Sequence, residues 1–300
     1  MRPNFLMIGA PKAATTAICH HLGQHPDVFI SHPKEPFFFC YDEVWAKGWD
    51  WYEGLFAGAE GYTAVGEGTT VYANAATYPN ALPRIAEHLP GVKIIYAVRE
   101  PLARIQSYWM EMNSQGIITL PFNRAVREDE QLIDTSRYHA QLAGYRKHFP
   151  DEQIHVVFYE EFSRDADAVL SGIFQFLGVD PSVKIEGADT PRYTSENKRS
   201  DLALTNVLRK RLPGFFKLRD MAPKGLRETA KKLLKRPIPG KPQWDPETLA
   251  WVKDQLAEDT AAFLASVGKP ADYWANPQRP TNGNGNHLPN SDPPNRSAAA

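Results

Sequence analysis

The feature that most constrains the fold is an alternation of short apolar runs with longer segments of helical spacing. Residues 92–98 read Val-Lys-Ile-Ile-Tyr-Ala-Val, and residues 154–159 read Ile-His-Val-Val-Phe-Tyr. Runs that are almost continuously apolar are typical of strands buried on both faces of a parallel sheet. Residues 5–9 and 28–30 predict two shorter strands. Strands that alternate with helices predict an α/β protein, a three-layer α/β/α arrangement with a central, mostly parallel sheet.

Helical spacing is predicted at four places: Thr15–Gly23, Pro101–Met112, Glu161–Leu177 and Pro246–Val267. Proline suits the first turn of a helix, because its missing amide hydrogen would have no partner there. Asp245 suits the position before Pro246, because its carboxylate can accept the free amides of the first turn.

Composition limits what the chain can do. A length of 300 residues with 42% hydrophobic and 23% charged residues suits one large domain, which we expect over residues 1–275. Residues 276–300 are rich in Asn, Pro, Gly and Ser and are predicted to form a disordered tail. The formal net charge of −1 gives no global attraction for nucleic acid, so no nucleic-acid partner is expected and any anion site must be local.

Cysteine usage and hydropathy bear on the compartment. Cys19 and Cys40 are the only cysteines of the sequence, which suits a reducing environment. No group of Cys and His has zinc spacing, so no metal site is expected. The N-terminus does not resemble a signal peptide, and no segment approaches the roughly 18 apolar residues of a membrane helix. These patterns predict a cytoplasmic protein.

Residues 209–241 form a basic stretch with twelve Lys or Arg and two acidic residues. Three interpretations fit this composition. The stretch can be a solvated helix face, it can draw anions toward a site, or it can make peripheral contact with an anionic membrane.

The segment between the first strand and the first helix is Gly9-Ala-Pro-Lys-Ala-Ala-Thr-Thr16. A tight turn there points backbone amides and the positive end of the helix dipole at one spot, which suits a phosphate. Lys12 adds a mobile positive charge. A nucleoside-triphosphate P-loop needs lysine directly before Ser or Thr. Because Lys12 stands three residues before Thr15, the kinase interpretation fails on spacing.

The segment resembles the 5′-phosphosulfate-binding loop of sulfotransferases that use 3′-phosphoadenosine-5′-phosphosulfate (PAPS), where the pattern is P-K-x-G-T-T. Ala14 stands where that pattern has glycine. The resemblance implies a P-loop-like fold and PAPS as co-substrate, with no metal required. It also implies a set of cofactor contacts from this loop: Pro11, Lys12, Ala13, Ala14, Thr15 and Thr16.

A second element of the family follows at the expected distance. Arg99 ends a predicted buried strand, where open α/β sheets bind ligands, and Ser107 follows eight residues later. A guanidinium can hold a phosphate through two hydrogen bonds, and the resemblance implies that this pair binds the 3′-phosphate. Arg104, between them, is expected at the surface. The resemblance implies three further cofactor contacts, of which the first fits a core position equally well: Tyr159, Lys198 and Arg199.

Sulfuryl transfer needs a base for the acceptor proton and positive charge on the leaving phosphate. Glu35 precedes the phenylalanines of residues 37–39 and resembles the glutamate base of the carbohydrate (heparan-type) branch. His32 is the alternative, because aryl and steroid sulfotransferases use histidine. Residues 47–52, Lys-Gly-Trp-Asp-Trp-Tyr, and residues 65–72, Val-Gly-Glu-Gly-Thr-Thr-Val-Tyr, resemble the K-G-x-x-W-Y and G-E-K-[ST]-x-x-Y elements of the same branch.

The sequence departs from that branch at Gly68, where the branch has a lysine at the reaction centre. Lys34 or Lys12 can supply the charge instead, and Glu35 and Lys12 are the expected catalytic residues. The acceptor is expected to be a hydroxyl or amine of a carbohydrate, a lipid or a small molecule. A kinase that uses nucleoside triphosphates and a non-catalytic nucleotide-binding protein are the alternatives.

Overall fold

The computed structural model describes residues 1–188, 199–201, 235–237 and 241–275. The predicted tail over residues 276–300 lies outside the described residues, as do Lys198 and most of the basic stretch.

A parallel sheet of five strands forms the centre of the protein. The order across the sheet is β2-β3-β1-β4-β5, and every neighbouring pair is parallel. The predicted fold class, an α/β protein with a central parallel sheet and flanking helices, is confirmed. The strands are β1 (Phe5–Gly9), β2 (Val28–Ile30), β3 (Ala64–Gly68), β4 (Lys93–Val98) and β5 (Ile154–Phe158).

Helices connect these strands and follow the last of them. A short antiparallel pair, β6 (Arg199–Asp201) and β7 (Lys235–Pro237), lies apart from the main sheet. A single 3-10 turn, Asp151–Gln153, leads into β5. The helices are α1 (Thr15–Leu22), α2 (Asp42–Trp45), α3 (Gly48–Gly54), α4 (Ala81–His88), α5 (Pro101–Ser114), α6 (Phe122–Glu128), α7 (Glu130–Asp134), α8 (Tyr138–Arg146), α9 (Tyr159–Arg164), α10 (Ala166–Leu177) and α11 (Pro246–Ser266).

The structure divides the predicted helix over residues 161–177 into α9 and α10. Asp165 lies between them with φ −147° and ψ 85°, outside the helical region, and its Oδ1 accepts the Ala168 amide at 2.9 Å. An aspartate that caps the next helix offers the backbone an alternative to continuing the previous one. The prediction of one continuous helix was therefore wrong. Asp245 caps α11 as predicted, because its Oδ1 accepts the Thr248 amide at 2.7 Å.

The hydrophobic core lies around the central strands. All five residues of β1 are buried, as are five of the six residues of β4. Both strands lie inside the sheet, and helices cover its faces, so their side chains are apolar on both sides. A second apolar cluster joins α5, α6 and α7 to α11. Within the described ranges, no helix has the length and apolar character that a membrane crossing requires.

Gly66 of β3 generates a prediction about packing in this core. A Cβ atom added to Gly66 would lie 2.5 Å from ring carbons of Phe5 in β1, which is fully buried. Because an overpacked core must shift, Gly66→Ala is expected to lower the free energy of unfolding by about 1–3 kcal/mol, as measured by urea denaturation.

Gly172 provides the matched control, because a Cβ added there meets no atom of the described chain within 4 Å. Gly172→Ala in the middle of α10 should raise stability by about 1 kcal/mol, the difference in helix propensity between the two residues. A Gly66→Ala protein as stable as the wild type would contradict the close approach of β3 to Phe5.

Candidate active site

The predicted site residues gather at one edge of the sheet because its five strands are parallel. Parallel strands end at the same edge, where open α/β sheets bind their ligands. The turn of residues 10–14 follows the central strand β1. Residues 69–72 follow β3 and Arg99 follows β4, the two neighbours of β1. The segment of residues 31–39 follows β2, which is an outer strand of the sheet.

The turn after β1 has an unusual backbone. Lys12 and Ala14 have φ values of 74° and 62°, and Ala14 is the N-cap of α1. A left-handed conformation has no steric cost for glycine and strains a residue with a Cβ. This explains why a glycine suits position 14 in loops of this pattern. Thr15 is buried, whereas Thr16 is exposed at the sheet edge.

Lys12 is held by a carboxylate from the neighbouring helix. Its Nζ lies 2.7 Å from Glu111 Oε2, and Glu111 belongs to the third turn of α5. The Lys12 side chain is 15% exposed and that of Glu111 is 31% exposed. The pair orients Lys12 along the site while leaving both groups open to exchange with solvent ions.

Arg99 joins the loops after β1, β4 and β5. Its Nη1 donates to the backbone oxygen of Lys12 at 3.2 Å, and its Cζ lies 4.2 Å from the ring centre of Tyr159. The Tyr138 hydroxyl donates to the Arg99 backbone oxygen at 2.7 Å. Tyr159 is half-buried at the start of α9. The structure thus brings Arg99, Lys12 and Tyr159 together at this edge of the sheet.

Ser107 lies two turns into α5 and is half-buried. Residues four apart share a face of a helix, so Ser107 lies on the same face of α5 as Glu111, which contacts Lys12. Ser107 therefore faces the side of the site formed by the turn after β1.

Arg104 corrects the expectation of a surface arginine. It is fully buried; its Nε donates to Ser136 Oγ at 2.6 Å and its Nη2 to the Leu132 backbone oxygen at 2.6 Å. Among the described residues its Nη1 has no hydrogen-bond partner. Burial lowers the pKa of this guanidinium. The side chain ties α5 to the α7–α8 corner, and this tertiary contact has no signature in the local sequence.

The segment after β2 presents Glu35 beside a lysine. Glu35 Oε1 accepts Lys34 Nζ at 2.8 Å and Thr70 Oγ1 at 3.2 Å. Glu35 and Phe37 both have left-handed φ values, 60° and 56°. Residues held in such conformations cluster at functional sites, where the surrounding structure imposes them. His32, the alternative base, is exposed.

Aromatic packing anchors the segment of residues 31–39 in the hydrophobic core. Phe38 and Phe39 are fully buried, and the Phe38 ring stacks on Tyr52 of α3 with centroids 4.2 Å apart. Trp45 and Trp49 pack around them while remaining partly exposed. These aromatic residues all pack in or against the hydrophobic core. The backbone that carries Glu35 is consequently anchored in the rigid part of the protein.

Glu67, which the sequence presents only as part of the motif of residues 65–72, lies at the centre of a buried hydrogen-bond network. It is a fully buried carboxylate of β3 that accepts three hydroxyl hydrogen bonds. Burial, the largest effect, raises the pKa of Glu67 to about 7, against the opposing effect of its hydrogen bonds. The sequence signal was limited to the motif of residues 65–72, because the burial of β3 became visible only in the structure.

Comparison with known proteins shows similarity to sulfotransferases. A family model described as "Sulfotransferase family" matches residues 58–182. A membrane-associated sulfotransferase of Dictyostelium discoideum is 30% identical over 142 residues, which are 44% of this chain and 29% of the relative. Heparan sulfate glucosamine 3-O-sulfotransferase 5 of Mus musculus is 25% identical over 193 residues, which are 60% of this chain and 55% of the relative.

These comparisons show similarity to sulfotransferases over part of the chain. The chain matches less than two thirds of the length of these curated relatives. Among solved structures, a sulfotransferase from Alicyclobacillus acidocaldarius has a TM-score of 0.67 and 24% identity, covering 92% of this chain and 99% of that one. A mouse sulfotransferase complexed with PAP has a TM-score of 0.50 and 14% identity, covering 91% and 88%. Both similarities show that this chain shares the fold of these proteins.

The departure from the family pattern at Gly68 has a steric cause. A Cβ atom added to Gly68 would lie 2.6 Å from Cys19 Sγ of α1 and 3.9 Å from Lys34 Cε. Cys19 thus fills the space in which a side chain at position 68 would begin. Lys34 reaches the same region from the segment after β2 and contacts Glu35.

The structure describes little of the two remaining predicted cofactor contacts, Lys198 and Arg199. Arg199 begins β6, of which only the backbone is described, and Lys198 lies outside the described residues. In the described part of the chain, no group of three or more His, Cys, Asp or Glu side chains is arranged to hold a metal ion.

The conformation of Ala14 generates a prediction about the loop. Because its φ of 62° is left-handed, Ala14→Gly should relieve strain and raise the free energy of unfolding by roughly 1 kcal/mol. Ala17→Gly, inside the same helix, should lower it by about 1 kcal/mol. Thermal or urea unfolding of both variants measures the difference. Equal losses in the two variants would contradict the left-handed conformation at position 14.

Proposed function

We propose that the protein is a sulfotransferase that transfers a sulfuryl group from PAPS to a hydroxyl or amine of its acceptor. The observation that carries the proposal is the contact between Arg99 Nη1 and the Lys12 backbone oxygen at 3.2 Å. It joins the two elements, 87 residues apart in sequence, that the family pattern assigns to the two phosphate groups of PAPS. The match of residues 58–182 to the sulfotransferase family model and the similarity to a mouse sulfotransferase complexed with PAP support the choice of co-substrate.

The residues present fit this co-substrate. The turn after β1 offers backbone amides at the N-terminus of α1, together with the Lys12 ammonium and the exposed Thr16 hydroxyl, to the 5′-phosphosulfate. Arg99 and Ser107 lie beside it for the 3′-phosphate. The ring of Tyr159 packs on the guanidinium of Arg99, which keeps the guanidinium plane in place.

The chemical step follows from these positions. Glu35 accepts the proton of the acceptor hydroxyl while the acceptor oxygen attacks sulfur. The bond between sulfur and the 5′-phosphate oxygen breaks, and Lys12 and the loop amides stabilise the negative charge that the leaving phosphate gains. Lys34 supplies the positive charge that the family lysine at position 68 would supply, because it lies beside both Glu35 and Gly68. The left-handed backbone at Glu35 and the aromatic core beneath it hold the base in place.

A cavity of about 380 Å³ between α1 and the segment after β2 suits the acceptor. Thr16 from the proposed phosphosulfate loop, Lys34 beside the proposed base, and His32 are among the residues that line it. The Thr16 hydroxyl, the Lys34 ammonium and the His32 imidazole among its lining groups favour a hydroxyl- or amine-bearing acceptor, and the similarity to a heparan sulfate sulfotransferase supports a carbohydrate.

A thermal-shift experiment tests the choice of co-substrate. Adenosine 3′,5′-bisphosphate (PAP), the product of PAPS, should raise the melting temperature, whereas ATP with Mg²⁺ should leave it nearly unchanged. A ligand at 100 times its Kd stabilises the folded state by about 2.7 kcal/mol. Stabilisation by ATP alone would overturn the proposal in favour of a kinase.

Glu35→Gln tests the base. It should lower kcat by about 10²–10⁴-fold and leave the Kd for PAP nearly unchanged, because it removes the proton acceptor and preserves the shape of the site. Glu43→Gln makes the same substitution at an exposed position of α2 and should have no effect. Initial rates with PAPS and a panel of hydroxyl acceptors give kcat. Turnover within about tenfold of wild type would exclude Glu35 and direct attention to His32.

A further inference from the structure

The buried carboxylate of Glu67 connects to the proposed base through the loop that follows β3. Its Oε1 accepts the Tyr72 hydroxyl at 2.7 Å and the Tyr52 hydroxyl at 3.3 Å, and its Oε2 accepts the Thr69 hydroxyl at 2.8 Å. All three donors are neutral. An ionised carboxylate can accept this many hydrogen bonds at once, because both its oxygens act only as acceptors.

Two paths lead from these donors to the segment of residues 31–39. The Tyr72 hydroxyl, which donates to Glu67, also accepts the backbone amide of Phe39 at 3.4 Å. Thr70, the neighbour of Thr69, donates its hydroxyl to Glu35 Oε1 at 3.2 Å. Glu67 is therefore tied to the end of this segment and to the side chain of the proposed base.

Burial raises the pKa of Glu67 to about 7 within a cluster that also contains thiols, tyrosines and Lys34. Glu67 raises the pKa of the thiols and tyrosines near it, and burial of those groups is the larger cause. Lys34 stabilises the ionised form of Glu67. The titratable and charged groups that face it are Cys19 of α1, Lys34, Glu35 and Cys40 of the segment after β2 and its continuation, Tyr52 of α3, Tyr72 after β3 and Tyr145 of α8.

We propose that Glu67 is a positioning residue for the transfer reaction. Its ionised carboxylate holds the loop of residues 69–72 and the segment of residues 31–39 in the arrangement that presents Glu35 to the acceptor. This inference rests on the proposed function, because it assumes that Glu35 is the base.

Protonation of Glu67 weakens the arrangement. A carboxylic acid must place its own proton on an acceptor, whereas the three hydroxyl groups around Glu67 all donate to it. At least one hydroxyl must then rotate away. Rotation of the Tyr72 hydroxyl changes its tie to Phe39, and rotation at Thr69 disturbs the neighbouring Thr70.

Stability and positioning should respond to pH in opposite directions. The pKa of Glu67 is about 7 in the folded protein and near 4.5 when exposed, so between these values the folded state binds more protons than the unfolded state. The contribution of Glu67 to stability then falls as pH rises through this window. Positioning of Glu35 improves over the same rise, because Glu67 becomes ionised. A carboxylate that only affected the stability of the fold would lower both stability and activity as pH rises.

Amide hydrogen exchange, corrected for the intrinsic effect of pH, tests the coupling without requiring turnover. In the wild type, peptides of residues 31–39 should exchange at least about fivefold faster at about pH 6 than at about pH 8. In Glu67→Gln, which preserves size and cannot ionise, the corrected exchange rate should be fast at both values. Tyr96→Phe removes a buried hydroxyl that donates to Gln141 Oε1 at 2.6 Å rather than to Glu67 or the loop of residues 69–72, so it should keep the wild-type pH response.

A kinetic measurement completes the test. With PAPS and an acceptor that turns over, Glu67→Gln should lower kcat by about tenfold or more at about pH 8, with little change in KM for PAPS. It should also remove the fall in kcat that the wild type shows as pH drops through about 7. Wild-type protection of residues 31–39 that is independent of pH would overturn the inference, even if Glu67→Gln fails to fold. Coupled protection without sulfuryl transfer to any acceptor would support the positioning of the segment and refute the proposed function instead.

Discussion

The parallel alignment of the five strands is the constraint on which the rest of the structure depends. Backbone hydrogen bonds between parallel strands require every connection to cross back over the sheet, so every strand ends at the same edge. Residues as far apart in sequence as Lys12, Glu35, Arg99 and Tyr159 then lie at one edge of the sheet without any long loop. The central position of β1 places its end between the loops of β3 and β4, so that Thr70 approaches Gly9 and Arg99 contacts Lys12.

The sequence predicted the parts of the fold in which local pattern and tertiary environment agree. β4 and β5 are almost continuously apolar because helices cover both faces of the sheet, and β2 has the predicted bounds. β3 was not predicted, because its residues Ala64–Gly68 include two glycines and a glutamate. It is a strand because β1 and β2 pair with it on both sides, and that pairing cannot be read from five residues. Asp165 shows that one capping side chain can end a helix within a continuous apolar pattern.

The candidate site also contains residues that the local sequence pattern predicts and residues that only tertiary packing places. Lys12 and Arg99 were predictable because each follows a predicted strand, and strand ends converge. Arg104 was not, because its burial depends on the approach of the α7–α8 corner, where Ser136 and Leu132 provide its partners. Glu67 combines both cases: its place in a motif was visible, whereas its three hydroxyl donors come from three separate positions of the chain. Local pattern thus predicts where a side chain starts, and packing decides what it contacts.

The ion pair between Lys12 and Glu111 makes anion binding an exchange reaction. An anion that takes the ammonium must displace the carboxylate, so its net gain is the difference between two ion pairs rather than the whole of one. Every ligand must break the Lys12–Glu111 ion pair at the same cost in free energy. A ligand with several negative groups offsets this cost best, because it contacts Arg99 as well. Small inorganic anions, which are abundant in cells, engage one charge and recover little. Glu111 therefore favours ligands that carry several negative charges and are long enough to contact both Lys12 and Arg99.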